Sequence, residues 1–596
     1  MSPPTNELSP DPWSALLDRI VDGLVQGCRD AGATTTPEAL RAMLDLDGGA
    51  EGDIALPTHR FAKTLRQAPE QFAGSLVGHL SPIPGVASVS STGAFVNLRV
   101  DPALLATETL SRVFARAERY GHGEPTSTIT CVEHTSANPT GPLHIGRVRN
   151  GIVGDTLARV LRASGAPLTT QYYVDDLGRQ AAMITWIWSK PPSEWPVEIA
   201  VGAAASPPEG MSEDARLGRP YPFVNAYLKE HPDAQTEVAA LVQQIESGDP
   251  PPLHRELIEK ILAGMLAALD RIGIRFDEFV WESSFLHDHS VDGVIERLDR
   301  APHAARQPNG AGAIDVSAYG LPKESSTVVY TRANGTSLYV TRDIAYHLSK
   351  FARFERVIDV LGQDHQLHSK TLDALLAEIG ESRRPTFVIY QDLTVPGGGR
   401  MSTRGGTAVW LHELIEEAVQ RARAEVIARR PDLGRADLER IAEAVATGAI
   451  RYHIVRVAPE KPVIFQWEDA LSFEGRSGPF IQYAFARATS ILERSEEQHP
   501  GSTYSVERLL GVEEQALIRI LARFPRVVRD VARTGHVHSI AGYAHELADQ
   551  FNRFYHAVPV LTSGEDRPSR LALVAATRQT LGNALELLGI ARLDSM

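Results

Sequence analysis

The stretch VEHTSANPTGPLHIGRVRNGIVGDTLARVL, Val132 to Leu161, runs from a β-branched segment through a Pro/Gly turn into a helical pattern. A loop standing where a parallel strand ends and a helix begins is an anion site, because unpaired backbone N–H groups and the helix dipole face outward there. His144 can donate to phosphoryl oxygens as they gain charge, and Gly146 lets a nucleotide approach the backbone closely. The chemistry these residues predict is phosphate chemistry by positioning, with no covalent attack by the protein.

The flanking sequence supplies the elements that must hold this loop. TITCVEH is a strand pattern; beyond the loop Val153, Leu157, Val160 and Leu161 share one side of a helical pattern, and Gly165 stands where a helix end favours glycine. PLTTQYYV follows as the next strand. Strand, loop, helix and strand predict a parallel α/β sheet, extended by STVVYTR, RVIDVLG and PTFVIYQDL in alternation with helices to about residue 420.

Residues 1–124 read as a separate α+β unit: an amphipathic helix over Trp13 to Ala31, the short segment GDIALP, a helix around Phe61 to Leu65, and the alternating strand GAFVNLRV. The loop RYGHGEPTST marks its boundary. From Ser189 to about Pro252 the chain is rich in Pro, Ala, Glu and Gly and reads as an insertion with mobile parts, the whole interruption extending to about residue 285. After Ala470 helices dominate. Leu517, Ile520, Leu521, Phe524, Val528 and Val531 fit a 3.6 period, as do Tyr543, Leu547, Phe551 and Phe554, and they predict a helical bundle. The expected fold class is therefore multidomain α/β: an N-terminal α+β unit (1–124), a Rossmann-like parallel-sheet domain (125–470, insertion at about 189–285) and a C-terminal all-α bundle (471–596).

A chain of 596 residues is long enough for several cores. Its 43% hydrophobic and 22% charged residues are ordinary for a globular protein, and no apolar run reaches bilayer length, so no membrane partner is expected. MSPPTNELSPDPWSALLDRI lacks a basic region ahead of an apolar core and does not read as a secretory signal; a cytoplasmic location is the default expectation. Two cysteines, Cys28 and Cys131, make neither a disulfide framework nor a thiolate zinc site, and no metal ligands are expected. The net charge of −14 argues against a non-specific nucleic-acid coat, although an average over domains can hide a local basic groove.

LHIG after SANPTGP resembles the nucleotide-binding signature of class I aminoacyl-tRNA synthetases, and VEHTSANPTGPLHIGRVRN resembles that of the arginyl-tRNA synthetases in particular. YYVDDLGRQ, SLYVTRDIAYHLSKF, VLGQDHQLH, GGGRMSTRGG, IRYHIVRVAPEKPVIFQWEDALSFE, GPFIQYAFARATSIL and FNRFYHAV follow in family order, and GDIA and GAFVNLRV precede them. The resemblance implies a two-step reaction. ATP and L-arginine give arginyl-adenylate and pyrophosphate, in this family usually only with tRNA present; the acyl group then passes to the terminal ribose of tRNA(Arg). ATP, Mg²⁺ accompanying it, L-arginine and tRNA(Arg) are the implied partners, and a monomer is the expected state.

By the same resemblance His144 and Gly146 hold ATP phosphates, while Glu133 and Asn138 lie near the substrate ammonium and carboxylate. Tyr339 and Asp343, four apart and so on one face, match the arginine side-chain pocket. A carboxylate such as Asp343 can receive the planar fork of a guanidinium directionally. Gln366 is a further candidate arginine contact, with Asp364 and His365 nearer the adenosine. RMSTR stands where the family has its second, mobile ATP-binding signature: Arg400 or Arg404 would neutralise the leaving pyrophosphate with Mg²⁺, and Met401 and Ser402 lie in the same run. GPFIQYAFARA and LADQFNRFYHA resemble the helical anticodon-binding domain, with Tyr483, Arg487, Asn552 and Tyr555 as tRNA contacts and Phe551 and Phe554 as core. The N-terminal unit resembles the family's extra domain that touches the outer corner of tRNA.

Read without the resemblance, His144 is an ordinary loop histidine, Glu133 a local cap, Asn138 a turn residue and RMSTR a solvated basic loop. Four positions depart from the pattern. Arg147 stands where class I has a second histidine, Thr403 where it has lysine, and Gly405-Gly406 where a basic residue commonly follows. A paralogue with an accessory role, or a non-catalytic tRNA-binding regulator, is the rival reading. The regulator predicts lost ATP-site residues, yet His144, Gly146, Asn138, Tyr339 and Asp343 are all present.

Overall fold

The computed structural model describes residues 9, 11–46, 51–203, 211–394, 410–495 and 504–596. Near the N-terminus, β1 (Ile54–Pro57), β2 (Val86–Thr92) and β3 (Phe95–Val100) form an antiparallel sheet in the order β1-β3-β2. The alternation in GAFVNLRV is realised: Val96, Leu98 and Val100 are buried while Phe95 and Arg99 face outward. Asn97 shares their face yet is buried, close beside Gly52. The helix expected over Trp13 to Ala31 forms as Ser14–Asp30.

The central sheet takes β4 (Thr130–Glu133), β5 (Leu168–Val174) and β6 (Glu278–Trp281) in sequence. A small antiparallel sheet of β7 (Ala304–Arg306), β8 (Gly312–Asp315) and β9 (Thr327–Thr331) follows, and the chain returns as β10 (Arg356–Gly362) and β11 (Thr386–Tyr390). The central order is β11-β10-β4-β5-β6 and every pairing is parallel. The chain leaves β4 toward β5 and comes back on its other side with β10, so the β4–β10 boundary is a topological switch point where a ligand crevice opens at the carboxyl ends of the strands.

The predicted helix after β4 spans Ile145–Ala163 and buries Val153, Leu157, Val160 and Leu161. Gly165 follows with φ +93°, and a Cβ there would meet the Glu124 carbonyl oxygen at 2.1 Å, so both conformation and space require glycine. Two buried arginines fix this helix. Arg451 donates to Asp155 Oδ2 at 2.5 Å and to the carbonyls of Leu588 and Ile272. Arg149 donates to the carbonyls of Gln391, Lys461 and Ala458.

The insertion differs from its composition-based reading. Its described residues form helices Val197–Ala203, Glu213–Gly218, Tyr221–Glu230 and Pro232–Glu246; the first and the last two share an apolar cluster with helix Gly178–Trp188, while Glu213–Gly218 packs on helix Pro252–Arg271. Val224 and Leu228, and Val238, Val242 and Ile245, supply a helical stripe that the Pro- and Ala-rich surroundings obscure. A long hairpin of helices, Leu411–Arg429 and Arg435–Val455, was also unread; it packs between sheet and bundle.

The C-terminal bundle comprises Gly478–Arg494, Val512–Thr534, His538–Ala557 and Arg567–Leu587. Phe551 and Phe554 are fully buried, as their spacing predicts. The N-terminal unit docks on helix Val512–Thr534: Tyr120 Oη donates to the Leu521 carbonyl at 2.7 Å, Arg519 pairs with Asp53 at 2.6 Å, and Arg529 with Asp11 at 3.1 Å. Gly121, at φ +95°, leaves room for the Phe524 ring.

Candidate active site

At the end of β4 the chain turns through Thr135 (φ +70°) and Ser136 (φ +34°), left-handed conformations that side chains rarely adopt. Asn150 of the following helix over-determines the turn, accepting from Thr135 N at 2.8 Å and donating to the Val360 carbonyl of β10 at 2.9 Å. Farther along, His144 caps the helix: its Nδ1 accepts from Gly146 N at 3.0 Å. That bond assigns the imidazole proton to Nε2, which is buried with no hydrogen-bond partner among the described residues. Burial, then the charge of Arg147, lowers the His144 pKa, so the ring is a neutral donor beside a helix N-terminus.

Gly146 has a local reason to be glycine. A Cβ there would stand 3.0 Å from His144 Nδ1, so the close approach it permits is that of the histidine ring itself. Arg147 lies with Nη2 3.8 Å from Asp364 Oδ2, both side chains about half exposed, a loose pair. Asp364 and His365 occupy the turn Gln363–His365 directly after β10, where burial lowers the His365 pKa.

The other end of the crevice is a chain of buried charges. Glu133 accepts from Ser136 Oγ at 2.9 Å and from Lys350 Nζ at 2.5 Å; Lys350, 1% exposed, also donates to Asp359 Oδ1 at 2.7 Å. Asp359 Oδ2 lies 2.8 Å from His347 Nε2, His347 Nδ1 lies 3.1 Å from Asp343 Oδ1, and Asp343 Oδ2 lies 2.6 Å from His368 Nε2. Glu133, Asp359 and Asp343 are thereby matched by Lys350, His347 and His368.

Burial pushes the Asp343 carboxyl up, but His347 and His368 overcome it and hold it well below the ordinary range. Burial and Lys350 oppose a charged His347, and Asp343 and Asp359 lift it nonetheless to about 10. His368 rises as well, its burial outweighed by the hydrogen bond and charge of Asp343. Burial raises Glu133 while Lys350 opposes the shift.

Tyr339, exposed at the start of the helix that carries Asp343, sets its ring 5.3 Å from that of His368. Asn138 donates to Asp175 Oδ2 at 2.8 Å. Gln366 is exposed at the start of helix Gln366–Glu378, and the side chain of that helix which reaches Asp343 is His368. Arg400, Met401, Ser402 and Arg404 lie outside the described residues. On the bundle, the four residues singled out from sequence meet on one surface. The Arg487 guanidinium sits over the rings of Tyr483 (4.8 Å) and Tyr555 (5.0 Å) and bonds Asn552 Oδ1, with both tyrosines partly exposed.

His347, Lys350, Asp359 and His368 escaped the sequence reading. Two signals could have found them: Asp343, His347 and Lys350 fall at i, i+4 and i+7 on one helix face, and Asp359 interrupts an apolar strand with a carboxylate.

A family model described as "tRNA synthetases class I (R), catalytic domain" matches residues 109–467, and one described as "DALR anticodon binding domain" matches 481–596. The chain is 40% identical over 591 residues to an arginine–tRNA ligase of Methanocella arvoryzae, covering 98% of this chain and 99% of that one. It is 40% identical over 546 residues to an arginine–tRNA ligase of Methanothermobacter thermautotrophicus, covering 91% and 93%. Among solved structures, the Thermus thermophilus arginyl-tRNA synthetase superposes with a TM-score of 0.81 at 28% identity, over 98% of this chain and 100% of that one. The Plasmodium falciparum arginyl-tRNA synthetase shares the fold, with a TM-score of 0.76 at 18% identity over 98% and 99%.

Proposed function

The chain belongs to the class I arginyl-tRNA synthetases, and from that premise we propose that it is an arginine–tRNA ligase. It activates L-arginine with ATP, releasing pyrophosphate, and passes the arginyl group from the adenylate to the terminal ribose of tRNA(Arg). The observation that carries this reading is one crevice with two unlike ends: a neutral Nε2–H donor on His144 beside a helix N-terminus, and an ionised carboxylate on Asp343.

In this reading His144 gives its N–H to an ATP phosphate and keeps it, stabilising charge that develops at the α-phosphorus without being consumed. Asp343 receives the guanidinium, with the exposed ring of Tyr339 beside it and Gln366 at the rim. Glu133, steadied by Ser136 and Lys350, receives the α-ammonium, and Asn138 holds the carboxylate that attacks ATP. Asp364 and His365 border the adenosine. Arg147, half exposed beside Asp364, adds positive charge to the nucleotide rim. Arg400 and Arg404, with Met401 and Ser402 between them, would draw off the charge of the leaving pyrophosphate, and Mg²⁺ arrives on the ATP phosphates. Tyr483 and Tyr555 offer faces for anticodon bases, with Arg487 and Asn552 between them. We place the enzyme in the cytoplasm, as a monomer whose first step requires tRNA.

ATP–pyrophosphate exchange with arginine, lysine, glutamate and canavanine, with and without tRNA(Arg), tests this. Arginine-dependent exchange is expected when cognate tRNA is present; its absence sinks the reading. Exchange without tRNA removes only the tRNA requirement.

A further inference from the structure

The buried charge chain ends unevenly. His347 is clasped by two carboxylates, Asp343 and Asp359, and is 3% exposed. Among the described residues His368 has one, Asp343 Oδ2 at 2.6 Å, and its other nitrogen, Nδ1, is buried with no hydrogen-bond partner; about a fifth of its side chain reaches solvent. Around His368 stand Asp343, His347 and Tyr339 from helix Tyr339–Arg353, and His365, itself beside Asp364, from the turn before its own helix. Among the described residues Asp343 is the one anion bonded to it.

We propose that His368 is the resident counter-cation of Asp343, and that the guanidinium of arginine displaces its charge: as guanidinium N–H groups bond to Asp343, the His368 imidazolium releases one proton to solvent. The proposal rests on Asp343 being the guanidinium-binding carboxylate. The proton balance is simple. Arginine keeps all its protons, His368 becomes neutral, and the network of Glu133, Asp359 and Asp343 with Lys350, His347 and the incoming cation stays electrically matched.

The charge chain makes the choice of His368 specific. A guanidinium at Asp343 would stand beside two cations, which repel it and each other in a poorly solvated site. His347 keeps its proton because Asp359 still holds it, and its pKa of about 10 in the free protein leaves a wide margin. His368 loses the Asp343 carboxylate to the substrate and has a path to solvent. As a positioning residue it thereby adds specificity: a neutral side chain of arginine's shape, such as that of citrulline, cannot replace the imidazolium charge.

The sign of the pH effect follows. The free-state pKa of His368 is raised, so at acid pH arginine must expel a proton, and its KM falls by about tenfold per pH unit as pH rises toward that pKa, then levels. The test is calorimetric titration of L-arginine into the full chain, in phosphate and in Tris at one near-neutral pH, with His368→Gln and Asp343→Asn in parallel. Wild type should release about one proton per arginine; His368→Gln should bind arginine and release almost none, and L-citrulline should release none from wild type. Equal heats in both buffers for wild type, or unchanged release in His368→Gln, overturn the proposal. Undiminished arginine binding by Asp343→Asn overturns instead the pocket reading beneath it. Should His368→Gln fail to fold, the wild-type KM profile decides alone: a flat profile overturns the displacement.

Discussion

At the β10 side of the crevice six ionisable groups are linked in series, and the last of the carboxylates, Asp343, lies between two histidines. At the helix side the neutral His144 presents an N–H with no partner among the described residues, and Arg147 holds its carboxylate only loosely at 3.8 Å. The difference suits the two guests proposed for these ends. A guanidinium brings a permanent charge to one fixed place, so its receptor must be ionised and desolvated in advance, which only neighbouring cations can arrange in a buried site. A triphosphate brings its own counter-ion and changes charge during the reaction, so donors without fixed partners serve it better.

Four substitutions test that contrast, in order of expected effect. Lys350→Met should destabilise the catalytic domain by about 3–5 kcal/mol, because it strands two buried carboxylates, Glu133 and Asp359; the measurement is the denaturant midpoint of that domain. An unchanged midpoint would mean the chain is not charged throughout. Asp343→Ala should lower kcat/KM for arginine about 10³-fold while leaving the ATP KM nearly unmoved. Equal effects on both substrates would erase the division of labour. His144→Ala should lower the rate of adenylate formation about 10²-fold, seen in single-turnover kinetics, with the arginine KM little affected. Arg147→Gln should cost less than about fivefold in ATP KM, since its pair with Asp364 is long and solvated; a loss as large as that of His144→Ala would make Arg147 a direct phosphate ligand.

The parts legible in sequence were those with a local cause. Period marked the helix after β4 and those of the bundle, and the burial of Phe551 and Phe554 follows from spacing alone. The surface cluster of Tyr483, Arg487, Asn552 and Tyr555 was reached through resemblance. The charge chain was not reached, because its bonds join residues from separate strands and helices: Lys350 lies 217 positions from Glu133, and in sequence it looks like a solvated lysine near a helix end. The helices of the insertion were hidden for the opposite reason: their apolar period is short and stands in Pro- and Ala-rich surroundings.

The docking of the first unit on helix Val512–Thr534 makes the polypeptide a loop tied without a covalent knot. Asp11, Asp53 and Tyr120 anchor one end to Arg529, Arg519 and the Leu521 carbonyl near the other, and the catalytic sheet hangs between. Cutting the connector between that unit and β4 would therefore turn an intramolecular clasp into an ordinary association, weakened by the lost effective concentration but not abolished. In polymer terms the joint is a place where the chain can be reopened, and its two original ends fused elsewhere, with the catalytic crevice left as it is.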